Sequence, residues 1–456
     1  MRLLLKCPTR SRPQRIASTL ATYLRLAARP DLLGVAVSCD VDDDSMTRTS
    51  VQDELHRILA PTAWHQIFYS PNQTKIEACN ANMDEIPWEW DIVVLVSDDM
   101  VAQVRGWDDI VRTHMTPDTD RILWFNDGGQ GANLNTLSVY GRAMYTRLGY
   151  MYCPEYKSLF CDTELTDRCR GELSTKTSYI SQCIIRHEHP GLGYSQNMDS
   201  LYAKNQRYWT QDLRTYIRRK TYATDVSFLI PTIAGREASF QRLVASIHEK
   251  MQRIAPDVRY TITPAFDNRE TSIGLKRDRL LQGATGKYAV FIDDDDEITD
   301  AYVEDLRDMF RGGFDVMRLR GQIAQFTFTH SLENKLTGTM ARGDVFLRPP
   351  NHLNPMLADI AKLVRFKDAT RGEDLEWTIQ LARHGYLQSE YQSDVSRIHY
   401  IYVMNGRVID ARLLQRQAGM SYEEMFNAVY TAAGQPPVEG QRIGTLRLTS
   451  RGFVSK

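Results

Sequence analysis

The apolar run Tyr288-Ala289-Val290-Phe291-Ile292 passes without a break into Asp293-Asp294-Asp295-Asp296-Glu297. Its β-branched and aromatic residues read as a buried strand, central in a sheet. That strand ends in four adjacent aspartates. Like charges repel at close range, so a fold that gathers them needs a compensating cation. A hard divalent ion with oxygen ligands, Mg²⁺ or Mn²⁺, meets that need. Acids just beyond the carboxyl end of a strand also lie where open α/β sheets bind ligands. The alternative is a solvated acidic turn; the buried lead-in and the flanking motifs weigh against it.

A chain of 456 residues is too long for one ordinary core, and several domains are expected. With a net charge of −1, no global field draws it to nucleic acid or membrane, so any such binding must come from a local patch. No apolar run is long enough to span a bilayer, and Met1-Arg2-Leu3-Leu4-Leu5-Lys6 is too short for a signal peptide core, which makes the cytoplasm the expected location. The cysteines 7, 39, 79, 153, 161, 169 and 183 contain no close-set pair, and they read as free thiols. The even spacing of Cys153, Cys161 and Cys169 is a weak zinc signal for the same reason.

Strands alternate with helical stretches. Leu3-Leu4-Leu5 is closed by Cys7-Pro8-Thr9, and an amphipathic stretch follows from Ile16 to Ala28. Strands at Gly34–Ser38 and Ile92–Val96 end at Cys39-Asp40 and at Ser97-Asp98-Asp99. The pattern restarts near Asp225. Val226–Ile230 leads to Pro231-Thr232, a helix follows from Ser239 to Met251, and Tyr260–Thr263 leads to Asp267-Asn268. The order strand-Pro-Thr, acidic turn, acid group, histidine thus occurs twice. His189 lies 27 residues after Asp162, and His399 lies 25 after Asp374. Such alternation predicts mostly parallel sheets.

Residues 226 to 402 resemble a family 2 glycosyltransferase of the GT-A fold. The motifs that carry this are Ile230-Pro231-Thr232, Asp267-Asn268, Ser272-Ile273-Gly274-Leu275-Lys276-Arg277-Asp278, the acidic strand end, Gly372-Glu373-Asp374 and His399. Residues 3 to about 195 look like a second, more diverged GT-A domain, and Arg348-Pro349-Pro350-Asn351-His352 is similar to bacteriophage-encoded glycosyltransferases. The expected fold is therefore α/β: two Rossmann-like GT-A domains in tandem, at 1–200 and 225–410. A basic aromatic linker at 201–224 would join them, and a C-terminal helical tail at 411–456, with a helix from Ser421 to Ala433, would follow.

The resemblance implies residue roles. In the second domain Asp295 would hold Mn²⁺ or Mg²⁺ with His399 as a further ligand, although a satisfied buried imidazole is the alternative for His399. Asp293 would meet ribose or the metal's water. Thr232, Asp267 and Arg277 would bind the uridine diphosphate part of a UDP-sugar. Asp374 would act as general base beside Glu373, with a helix-start acid pair as the alternative. In the first domain Thr9, Arg10, Asp40 and Asp98 would meet the nucleotide, and Asp99 would hold the metal with His189, or His187 in its place. Asp162 would be the base, with Glu164 next in line. Ser97 stands where the first acid of the pair should be.

The expected activity is transfer of sugar from a nucleotide-diphospho-sugar to an acceptor hydroxyl, with inversion, by one domain or by both in sequence. The cations and aromatic rings at 204–222 suggest DNA bearing hydroxymethylpyrimidines as acceptor; a glycan or a protein, with one domain acting as a silent binding module, is the alternative. A sugar nucleotidylyltransferase would need a glycine-rich loop after its first strand, and Cys7-Pro8-Thr9-Arg10 has none.

Overall fold

Leu3, Leu4 and Leu5 are all fully buried, so the first strand is covered on both faces, as a central parallel strand must be. The computed structural model describes residues 1–115, 118–194, 198–323, 326–334, 340–342, 345–370 and 372–403. The chain divides into two units, Met1–Lys220 and Thr221–Lys456.

The first unit holds β1 (Leu3–Pro8), β2 (Leu33–Asp40), β3 (Trp64–Ser70), β4 (Ile92–Leu95), β5 (Met100–Ala102), β6 (Ile122–Phe125), β7 (Ser138–Gly141), β8 (Thr177–Ile180) and β9 (Ile185–His187). Seven of them form one sheet in the order β3-β2-β1-β4-β7-β6-β8. β1 runs parallel to both β2 and β4, whereas β7 is antiparallel to its two neighbours. β5 and β9 form a separate antiparallel pair. The helix Pro13–Leu26 buries Ile16, Leu20 and Tyr23 against this sheet, and Trp107 packs edge-on against Tyr23. Lys6 lies inside β1. Burial pulls its ammonium down to about 8, and Nζ donates to the Ala78 carbonyl at 3.1 Å, which ties the helix Lys75–Asn80 to the sheet.

The second unit holds β10 (Thr224–Ile233), β11 (Tyr260–Asp267), β12 (Gly286–Phe291), β13 (Glu297–Ile298), β14 (Val316–Met317), β15 (Leu319–Ile323), β16 (Phe326–His330), β17 (Met340–Arg342), β18 (Val345–Arg348), β19 (Met356–Leu357), β20 (Glu390–Tyr391) and β21 (Tyr400–Tyr402). One sheet runs β11-β10-β12-β19-β14-β20 and a second runs β13-β21-β15-β16-β18-β17. β10 is parallel to β11 and β12, which repeats the β2-β1-β4 core of the first unit.

The α/β architecture with parallel central strands is thus present in both halves. The stretch expected to be a linker is not one. It forms the helices Ser200–Gln206 and Trp209–Arg219, which belong to the first unit. Asp212 is fully buried there and accepts the backbone N–H groups of Lys157, Ser158 and Leu159 at 2.7–2.8 Å. The expected tail at 411–456, with its helix at Ser421–Ala433, lies outside the described residues. No helix among the described residues is long and apolar enough to cross a membrane.

Candidate active sites at the strand ends

Parallel ladders fix which residues meet where the strands end. In the first unit Leu3 pairs with Ile92, and that register carried past the strand ends sets Thr9 level with Asp98. Thr9 Oγ1 donates to Asp98 Oδ2 at 3.1 Å. In the second unit Val226 pairs with Tyr288, which sets Thr232 level with Asp294, and Thr232 Oγ1 donates to Asp294 Oδ2 at 2.7 Å. Asp98 therefore corresponds to Asp294, Asp99 to Asp295, and Ser97 to Asp293. On the other flank, Ile233 pairs with Asp267, and the β1–β2 register sets Arg10 level with Asp40 in the same way.

The helix starts correspond as well. Phe160 (φ 61°) and Gly372 (φ 73°) both adopt the left-handed conformation just before a helix. Asp162 and Asp374 are each the second residue of that helix, after Cys161 and Glu373. Thr74 and Ser272 each cap a helix by accepting the N–H three residues on, so Cys79 corresponds to Arg277.

In the first unit Thr9, Arg10, Asp40, Asp98, Asp99, Asp162 and His189 all line one cavity of about 180 Å³, together with Lys75, Cys79 and His187. Since a single water needs only about 10–15 Å³ on that measure, the space suits a sizeable ligand. Arg10 Nη1 donates to Asp40 Oδ2 at 2.6 Å, and Asn72 Nδ2 donates to Asp40 Oδ1 at 3.1 Å. Arg12 Nη1 donates to Asp98 Oδ1 at 2.7 Å. Burial pushes the Asp98 carboxyl up, against the pull of Arg12. Burial opposes charge on Asp99 too, but His187, the Ser97 hydroxyl and Lys75 outweigh it and hold that carboxyl well below the usual range. Lys75 opens into the cavity. Burial opposes its charge, yet Cys161, Cys79, Asp162 and Asp99 around it raise its pKa.

Two expectations for this unit change. Glu164 does not face the cavity. It accepts from both terminal and inner nitrogens of Arg219, at 2.9 and 2.8 Å, and from Tyr156 Oη at 2.5 Å, so its carboxylate is committed to holding the helix Trp209–Arg219. His187, not His189, is the imidazole beside Asp99: Nε2 lies 3.7 Å from Asp99 Oδ2, and the buried Nδ1 has no hydrogen-bond partner. His189 Nδ1 accepts the Gly191 N–H at 3.1 Å, while its ring packs against those of His187 and Tyr202.

In the second unit the acids are joined by internal cations. Arg236 Nη1 lies 2.8 Å from Asp294 Oδ1 and 2.9 Å from Asp295 Oδ2. Arg277 is buried between Glu373 and Asp293, with Nη2 3.0 Å from Asp293 Oδ1. Asp296 accepts from Tyr400 Oη at 2.7 Å and from the Val403 N–H at 2.8 Å. Asp267 pairs with Lys276, whose Nζ also donates to the Thr232 carbonyl at 2.9 Å, and this pairing with Thr271 holds its carboxyl low. Asp374 Oδ2 faces Arg348 Nη2 at 3.8 Å. Burial pushes Glu373 up against the pull of Arg277, and it pushes Asp295 up against Arg236. The compensating charge demanded by the acidic run is thus met by guanidinium groups from outside it.

His399 is corrected. It is fully buried, its Nδ1 accepts the Arg320 N–H at 2.9 Å, and its Nε2 lies 2.8 Å from Asp305 Oδ2. No ring nitrogen remains for a ligand. The ladders give the reason. His187 ends β9 opposite Met100, whereas His399 precedes β21, whose Tyr400 pairs with Ile298. The position matching His189 falls beyond Val403, outside the described residues.

Sequence reasoning missed Lys75, Arg12 and Arg236. The two arginines follow their Pro-Thr pairs by three and four residues, a further match between the halves that could have been found. Among the described residues, no three His, Cys, Asp or Glu side chains converge to hold a metal ion.

No protein-family model and no curated protein matches this chain. Among solved structures, it is similar to the mannosyltransferase PcManGT from Pyrobaculum calidifontis in complex with GDP-Man and Mn²⁺, with 14% identity, TM-score 0.37 and coverage of 48% of this chain and 65% of that one. It is also similar to S. aureus TarS residues 1–349, at 13% identity and TM-score 0.29 over 46% of this chain and 65% of that one. The longer TarS structure gives 13% identity and TM-score 0.33 over 77% of this chain and 61% of that chain. The match spans less than two thirds of each of these proteins.

Proposed function

We propose that the chain is a glycosyltransferase of GT-A type with two donor sites, one at the strand ends of each unit, using a nucleotide-diphospho-sugar such as a UDP-sugar. The observation that carries this reading is the recurrence of one arrangement. A Pro-Thr hydroxyl is latched to an acid at the end of the neighbouring strand, and an aspartate stands second in a helix beside it.

In the first unit Asp40, which accepts from Arg10 and Asn72, would accept from the uracil imide. Lys75 carries the charge that would neutralise the diphosphate. Asp162 would take the proton of the acceptor hydroxyl as that oxygen attacks the anomeric carbon and the nucleoside diphosphate departs. Direct displacement inverts that carbon. In the second unit Asp267 and Asp374 would take the places of Asp40 and Asp162, while Arg277, which matches Cys79 and not Lys75, would add positive charge from a different position. Asp99 with His187 offers one carboxylate and, through the Nε2 that faces it at 3.7 Å, one imidazole nitrogen, while Nδ1 lies 3.9 Å from Asp127 Oδ2. This fits Mg²⁺ or Mn²⁺, which are usually held by one or two carboxylates plus substrate phosphates rather than by an all-protein cage. Such an ion would stabilise the departing diphosphate as a Lewis acid.

DNA as acceptor loses support from the helix Trp209–Arg219. Arg218 and Arg219 pair with Glu155, Arg219 also pairs with Glu164, and Tyr216 packs on Phe160. Those groups are engaged within the unit, so a hydroxyl on a glycan or protein is the acceptor we favour.

The test is mass spectrometry of glycan, protein and hydroxymethylated DNA acceptors incubated with a panel of nucleotide sugars and Mn²⁺. Asp162→Asn and Asp374→Asn are each expected to abolish one transfer, and the double variant to abolish both. Full transfer by the double variant would refute the assignment.

A further inference from the structure

The two sites balance the same two acids differently. Arg12 in the first unit and Arg236 in the second both reach from just after the Pro-Thr pair. Arg12 Nη1 bonds Asp98, and its Nε turns away to Asp199 at 2.8 Å. Asp99 is met by the Ser97 hydroxyl, by His187 3.7 Å away and by the charge of Lys75, with no arginine on it. Arg236 instead spans both matching acids with one nitrogen, at 2.8 Å from Asp294 and 2.9 Å from Asp295. A guanidinium nitrogen placed between two carboxylates supplies Asp295 Oδ2 with a positive partner. It also screens the charge that would attract a divalent cation.

The floor of each site changes in step. Asp293, Arg277 and Glu373 form a buried ionic triad in the second unit. Ser97, Cys79 and Cys161 hold the matching places in the first, all three facing the cavity. The second unit therefore sets a guanidinium directly on Asp295, whereas in the first Arg12 stops at Asp98 and Asp99 has Lys75 near it but no arginine.

We propose that Arg236 supplies, in the second unit, the positive charge that the first unit takes from a divalent cation, so that the second donor site works without metal. This rests on the glycosyltransferase reading above. Arg236 would then face the departing diphosphate directly, as a charge-assisted donor.

The experiment is a Mn²⁺ titration of the full chain, followed by electron paramagnetic resonance in the presence of saturating UDP. The expected result is a single tight Mn²⁺ per chain, lost in Asp99→Asn and kept in Asp295→Asn. Arg236→Met should create a second tight ion, which the added Asp295→Asn change removes. Arg236→Lys, which keeps the charge, should not create one. Two equal ions in the wild type, with one lost in Asp295→Asn, would overturn the inference while leaving the enzyme reading intact. So would a single ion lost in Asp295→Asn rather than in Asp99→Asn. A chain that binds neither UDP nor Mn²⁺ would end both.

Discussion

Replacing Arg277 by cysteine tests the ionic floor of the second unit. Arg277 is 6% exposed and Glu373 is 4% exposed, so the change strands a buried carboxylate and leaves Asp293 without its partner. Removing one member of a buried ion pair costs about 3–5 kcal/mol. Replacing all the charges together leaves no stranded ion, and the first unit shows a neutral set that folds in the same place. The triple variant Asp293→Ser, Arg277→Cys, Glu373→Cys is therefore expected within about 2 kcal/mol of the wild type, the remainder being lost packing volume. Urea unfolding reads this through Trp377, which is buried on the same helix as Glu373 and stacked on Phe366 at 4.8 Å. At a slope of about 2 kcal/mol/M, the single variant should lower the midpoint by roughly 2 M.

The effect also has a defined pH dependence. Burial raises the Glu373 carboxyl, and Arg277 opposes that rise. Without the guanidinium the folded value climbs further above the unfolded one, so the deprotonated form is penalised. The penalty should be full above the folded value, shrink as the pH falls through it, and vanish below the ordinary glutamate value of 4.5. A single variant as stable as the wild type, or a triple variant less stable than the single, would refute the reasoning.

Three further outcomes are expected. Lys75→Met should weaken UDP binding to the first unit by about 10- to 100-fold, from the 1.5–3 kcal/mol typical of a charged hydrogen bond; unchanged affinity by isothermal titration would count against its role. Glu164→Gln should lower thermal stability, because the charge-assisted bonds from Arg219 and Tyr156 become neutral ones and Arg219 keeps Glu155 as an anionic partner, while UDP affinity stays within about twofold; loss of binding in a folded variant would return Glu164 to the site. His399→Phe should cost about 1–3 kcal/mol, because Asp305 loses its imidazole partner and keeps Arg397 at 3.6 Å, yet leave the Mn²⁺ stoichiometry untouched; a lost ion would restore His399 as a ligand.

The strand framework was legible because buried parallel strands are nearly continuous apolar runs. Val226–Ile230 and Tyr288–Ile292 foreshadow β10 and β12 to within a few residues. The Pro-Thr and acidic repeat was legible for the same reason, since each motif ends such a run. What the chain order could not show was which side of a strand a residue falls on. His189 and His399 stand at similar distances from their acid groups, yet one follows β9 and the other precedes β21. Nor could it show where neutralising charge comes from. Four adjacent aspartates need positive charge nearby, and Arg236 and Arg277, which meet them, lie 58 and 16 residues away in the chain. The basic stretch at 204–222 misled in the same way, because Glu155 and Glu164 pair with it from well upstream.

The short β5–β9 pair acts as a ruler. Met100 lies opposite His187, and the Glu188 N–H donates to the Asp99 carbonyl at 2.8 Å, so main-chain bonds set the gap between carboxylate and imidazole. Side chains alternate along a strand, and a slip of one residue would turn His187 to the opposite face. One amino acid inserted within β9 would thus dismantle the pairing of Asp99 and His187 while leaving both side chains chemically whole. In this protein the spacing of an antiparallel ladder, rather than the identity of any one group, defines the distance at which the first site operates.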